Sequence, residues 1–136
     1  MAVLPLEFTK GHMFIMLEGK RWLLDTGAPT SFGVGGEVEI LGKTFSLPKN
    51  YLGFDAEALT SCVESTCAGL LGADILRTFE HLIDVTGGKI EISADQLFSD
   101  GISISLDQFF GIPIVNVHLE ANVFRMFLDT GAQISY

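Results

Sequence analysis

The tetrapeptide Asp-Thr-Gly-Ala occurs twice in this chain, at Asp25–Ala28 and at Asp129–Ala132. A longer match surrounds it. Arg21-Trp-Leu-Leu-Asp-Thr-Gly-Ala-Pro-Thr-Ser-Phe32 returns as Arg125-Met-Phe-Leu-Asp-Thr-Gly-Ala-Gln-Ile-Ser-Tyr136, identical at seven of twelve positions. In each copy an apolar strand delivers an Asp to a turn, where Gly lets a backbone N–H come close to the carboxylate. One carboxylate held in this way is an ordinary anion of low pKa. Two held side by side cannot both ionise cheaply, so they share a proton. One member of such a pair can activate water as a general base while the other polarises a carbonyl as a general acid. That is amide hydrolysis without a covalent intermediate. Asp25 and Asp129 are therefore the candidate catalytic carboxylates, to be paired with each other or Asp25 with the Asp25 of a second copy. Thr26, Gly27, Ala28, Thr130 and Gly131 shape the two loops.

The elements that must position these loops read as mostly β, because short apolar runs alternate with Gly and long helical periodicity is scarce. Residues 12–17 and 20–24 are expected to pair across a Glu18-Gly19 turn. A second hairpin is expected from 38–40 and 44–47 around Gly42-Lys43, and a third from 81–85 and 89–92 around Thr86-Gly87-Gly88. One short helix is expected, over Ala73–Phe79. The upstream hairpin of the first loop also recurs, Leu17-Glu18 matching Leu119-Glu120 with two extra residues assigned to the second turn. The repeat divides the chain into a lobe over 1–95, a connector over 96–111, and the beginning of a second, incomplete lobe over 112–136.

Composition narrows the function classes. A net charge of −9, with only 8 scattered Lys and Arg, argues against a nucleic-acid partner. The hydrophobic content of 48% with 11 Phe is ample for a packed core. No apolar stretch approaches a membrane span, and no secretory leader is legible at the start, so the compartment is left open. His12, His81 and His118 share no ligand spacing, and no metal or organic cofactor is expected. Cys62 and Cys67 are compatible with either a small disulfide loop or free thiols.

Leu23-Leu24-Asp25-Thr26-Gly27-Ala28 with Ser31 resembles the active-site loop of the retropepsin and pepsin superfamily of aspartic proteases. Leu70-Leu71-Gly72-Ala73-Asp74-Ile75-Leu76 resembles the strand and short helix that support that loop. Leu82-Ile83-Asp84-Val85 with Gly87-Gly88-Lys89-Ile90-Glu91-Ile92 resembles the closing strands. The resemblance implies an all-β fold, a retropepsin-like closed β-barrel lobe with one short helix, followed by the start of a second lobe. It implies an aspartic endopeptidase acting on a peptide or protein substrate. It also implies that a complementing C-terminal lobe or a homodimer partner completes the enzyme. Leu70, Leu71 and Gly72 carry the supporting role. Many pepsins have Ser where this chain has Ala28 and Ala132, and loss of that hydroxyl predicts a less acidic optimum. The alternative class is a non-catalytic module of the same fold, used for dimerisation or peptide binding.

Other residues have simpler readings. The hairpin at Leu41-Gly42-Lys43 is either the family's flap or an ordinary structural hairpin. Trp22 is expected in the core. Asp74 is expected near a helix start, with Arg21 or Arg77 as alternative ionic partners. Gly33-Val-Gly-Gly36 is expected to be a flexible loop.

Overall fold

The computed structural model describes residues 1–133. Nearly half of them lie in strands, with two short helices. The first strands are β1 (Ala2–Thr9), β2 (His12–Leu17), β3 (Lys20–Leu24) and β4 (Phe32–Gly33). Two small hairpins follow, β5 (Glu37–Ile40) with β6 (Lys43–Ser46), and β7 (Asn50–Tyr51) with β8 (Phe54–Asp55). Helix α1 (Ala56–Val63) precedes β9 (Gly69–Leu71), helix α2 (Ala73–Leu76), β10 (Glu80–Asp84) and β11 (Lys89–Ser93). The repeated region holds β12 (Asp107–Phe109), β13 (Ile112–Leu119) and β14 (Asn122–Phe127).

A single turn chemistry recurs along the chain. Lys10-Gly11, Glu18-Gly19, Leu41-Gly42, Leu52-Gly53 and Phe110-Gly111 all have positive φ at both residues. This is the two-residue hairpin geometry whose twist matches paired strands, and Gly enters its second position without a Cβ penalty. The turn of the second hairpin, Glu120-Ala121, is as short as Glu18-Gly19. The two extra residues of the repeat therefore do not lengthen the turn, as the sequence alignment had placed them. They lengthen the arms: β14 runs for six residues against five in β3, and Leu128 then precedes Asp129.

β1 changes partner halfway. Ala2 to Pro5 pair with β11, and Leu6 to Thr9 pair with β2. Pro5, which has no N–H to give a ladder, stands at the crossing. The resulting seven-stranded sheet has the order β10-β11-β1-β2-β3-β9-β4. Its ends, β10 and β4, do not pair with each other, so among the described residues an open sheet, in which β1 changes partner midway, stands in place of the expected closed barrel.

The buried core is drawn from this first region. Ile15, Trp22, Leu24, Val38, Ile40, Leu71, Ile90 and Ile92 belong to one cluster, and Phe14, Leu23, Phe32, Leu59, Val63 and Leu70 to a second. The β5–β6 hairpin contributes two of its side chains to the first cluster and is packed, with Phe45 edge-on to Phe79 at 5.8 Å. Trp22 is 2% exposed. Its ring fits because residues 33 and 69 are both Gly: a Cβ on either would collide with it. Gly33 is thus a buried strand residue, and only the later glycines of the expected flexible loop, Gly35 and Gly36, occupy a left-handed turn.

Three further readings are corrected. Helix α1 was not foreseen. Asp55 caps it by accepting from the Ala58 N–H at 3.0 Å, and Ala56, Leu59 and Val63 bury one face. The expected helix over 73–79 is regular only to Leu76 and continues as turns. The expected connector over 96–111 contains β12, which pairs with β13.

Candidate functional site

The first Asp loop is suspended between two strands and a helix. Strand β9 lies parallel to β3, with Leu24 opposite Leu71, and the Asp25 N–H donates to the Leu71 carbonyl at 3.0 Å. Beyond it, the Ala73 N–H donates to the Ala28 carbonyl at 2.8 Å. A Cβ on Gly72 would collide with that same carbonyl, so the position requires Gly. Ser31, fully buried, accepts from the Gly72 N–H at 2.8 Å. Its hydroxyl in turn donates to Asp74, which also accepts from the Ser31 and Ile75 N–H groups. Asp74 therefore clamps the loop to α2 and makes no ion pair among the described residues. Arg21 pairs instead with Glu7, at 2.6 Å.

The second loop comes up against the first. The Thr26 N–H donates to Thr130 Oγ1 and the Thr130 N–H donates to Thr26 Oγ1, both at 3.0 Å. Each hydroxyl then donates across the junction, Thr26 to the Leu128 carbonyl and Thr130 to the Leu24 carbonyl. Four hydrogen bonds thus join the loops, related as if by a two-fold axis. Gly27 and Gly131 complete the symmetry. A Cβ on Gly27 would strike the Asp129 carboxylate, and one on Gly131 would strike that of Asp25. Only glycines allow each carboxylate to lie on the opposite loop.

The structure therefore brings Asp25, Thr26, Gly27, Ala28, Asp129, Thr130 and Gly131 together, with Leu70, Leu71 and Gly72 directly behind the first loop. Asp25 Oδ1 accepts from the Gly27 N–H, and Asp129 Oδ1 accepts from those of Gly131 and Ala132. Burial pushes the Asp25 carboxyl up to about 6. The Asp129 charge and a hydrogen bond between the two side chains push the same way, against the backbone N–H groups of Gly27 and Ala28. A pair of this kind can hold one proton between two acids.

The carboxylates open into a cleft of about 550 Å³. Its apolar wall comes from Leu23, Phe54, Leu59, Val63 and Leu70, and its polar groups besides the acids are His12, Cys62 and Gln133. Both cysteines are free thiols, Cys62 exposed in this wall and Cys67 buried. The hairpin named from sequence as the flap does not line the cleft. The β7–β8 hairpin does, through Phe54, with Leu52 projecting at its tip. Sequence reasoning missed His12, Phe54 and the α1 residues. Asp55-Ala-Glu-Ala-Leu carries a cap signal that marks the helix. An isolated His carries no comparable signal. His81 and His118 lie on β10 and β13, away from this cleft.

The second loop is less enclosed. β14 pairs with β13 on one side, and among the described residues no strand lies along its other edge, where β3 has β9. Comparison of the chain with protein-family models, characterised proteins and solved structures found no match.

Proposed function

We propose that this chain carries the proton-sharing acid pair of an aspartic endopeptidase of the retropepsin and pepsin type. The observation that carries the reading is the reciprocal seating of the Asp25 and Asp129 carboxylates, each against the glycine of the other's loop. The reading extends to the fold: the first region, with β9 crossing behind the Asp loop, is taken as an acid-protease lobe. In the reaction, a water between the carboxylates loses a proton to the ionised member as its oxygen adds to the peptide carbonyl. The protonated member hydrogen-bonds the carbonyl oxygen and gives up its proton as charge develops there. Collapse of the tetrahedral intermediate breaks the C–N bond, and the amine leaves with a proton returned by the pair. An extended peptide fits the cleft, with apolar side chains against Phe54, Leu59 and Val63. The reading includes a complementing lobe, from the same polypeptide or a homodimer partner, along the open edge of β14.

The test is replacement of Asp25 and Asp129 by Asn, singly and together, in an assay of peptide cleavage. Each single change is expected to lower kcat at least about a thousandfold. The double change should be no worse than either single one, because the two groups act as a unit. Cleavage that survives Asp25→Asn would overturn the reading. Absence of cleavage by the fully assembled wild-type protein, with peptide binding retained, would favour a binding module instead.

A further inference from the structure

We infer that His12 and Gln133 form a specificity subsite beside the acid pair that recognises a carboxamide side chain, Asn or Gln, of a bound peptide. The inference rests on the cleft being a peptide-binding cleft, as proposed above.

His12 is 7% exposed and lines the cleft. Its Nδ1 is buried with no hydrogen-bond partner. A buried lone pair without a donor is tolerated better than a buried N–H without an acceptor. The packing around Nδ1 thus favours the tautomer with its hydrogen on Nε2. That nitrogen also has no partner among the described residues, yet it is not buried as Nδ1 is. Packing alone uses neither nitrogen. The ring stands as an N–H donor at the cleft surface.

Gln133 supplies the complement. Its Nε2 donates to the Lys10 carbonyl at 2.8 Å, and this fixes which way the amide faces. Oε1 is left as an acceptor. The side chain lies across Gly11, the residue next to His12: a Cβ at Gly11 would be only 3.2 Å from Gln133 Cγ. The donor and the acceptor thus line one cleft, His12 from the start of β2 and Gln133 from the end of the second Asp loop. A carboxamide satisfies both, its oxygen accepting from His12 and its nitrogen donating to Gln133. A carboxylate has no donor for Gln133 and brings charge toward two acids. An ammonium has no acceptor for His12. An aliphatic side chain leaves both groups unpaired, and sites of that kind reject such analogues.

The experiment measures binding of peptides whose scissile amide is reduced to CH₂–NH, by titration calorimetry. At each position flanking that bond, Gln is compared with Leu. For the wild-type protein, Gln is expected to bind about tenfold tighter at one position, as a pair of hydrogen bonds partly open to solvent provides. His12→Phe should bring the ratio to within about twofold while Leu-peptide affinity is unchanged, and His12→Gln should restore it. Gln133→Leu, a change at an exposed loop, should collapse the same ratio and covers the case in which His12→Phe does not fold. An unaltered ratio in His12→Phe and Gln133→Leu overturns the inference. So does equal weakening of both peptides, which would assign His12 to the peptide backbone, and so does failure of the wild type to bind either peptide. Cleavage of unreduced peptides is followed in parallel. Selective binding without hydrolysis by the fully assembled protein leaves the subsite standing and removes the peptidase. Hydrolysis without Gln selectivity does the reverse.

Discussion

Two carboxylates pressed together do not behave as two acids, and the residue scale is where this can be measured. Asp25 holds its proton up to about pH 6, against an ordinary value of 3.8. The pair should therefore be singly protonated in weakly acidic solution and lose activity as pH rises through 6. A pH–rate profile whose alkaline limb falls near pH 6 is expected from that value; a peak near pH 2 would contradict it. The same proton governs stability. The folded chain binds it more tightly than the unfolded chain, so its contribution is complete below the unfolded value and disappears as pH rises through the folded one. Thermal unfolding should show a loss on the order of 2 kcal/mol between about pH 4 and 6, largely absent in Asp25→Asn. The threonines are the second residue-scale case. Thr26→Val removes an acceptor for the Thr130 N–H and a donor to the Leu128 carbonyl. A cost of about 1–3 kcal/mol is expected in chemical denaturation. Thr130→Val should cost a similar amount, and the double variant less than the sum, because the two residues belong to one network.

At the scale of elements, the strands were largely legible, helix α2 was legible in its position but not its length, and helix α1 was not legible. Strands β2, β3, β10 and β11 announce themselves by apolar runs around Gly turns, and a two-residue turn then fixes their register. Helix α1 is only eight residues long, too short for a periodic pattern to outweigh the β-rich surroundings. It forms because Asp55 caps it and because Leu59 and Val63 find Phe14 and Leu70 to pack on. Asp55→Ala should cost about 1 kcal/mol in thermal unfolding, the usual value of such a cap. The flap assignment failed for a related reason. Two hairpins lie between the Asp loop and β9, and local sequence does not say which faces the core. Val38 and Ile40 are buried in β5, whereas Tyr51 and Leu52 in and beyond β7 are exposed. Only packing distinguishes them.

At the scale of the whole molecule, burial is uneven. The core clusters contain residues from Leu6 to Ile92, while Phe109, Val123, Phe124 and Phe127 of the repeated hairpin are exposed. Amide hydrogen exchange should follow this division. Amides of β2, β3 and β11 are expected to exchange at least about tenfold more slowly than those of β13 and β14. Equal protection in the isolated chain would show that β14 is covered after all. The sequence by itself determined the β class, the hairpins, the duplicated Asp-Thr-Gly-Ala loops and the chemistry two acids can perform. These follow from local rules: alternation, turn geometry and residue identity. Tertiary structure alone decided that the two loops meet within one chain, that Asp74 holds Ser31, and that His12 and Gln133 reach the same cleft. Those contacts join residues 43 to 123 positions apart. No local propensity specifies such distances; they are set by how strands stack and which glycines let carboxylates approach.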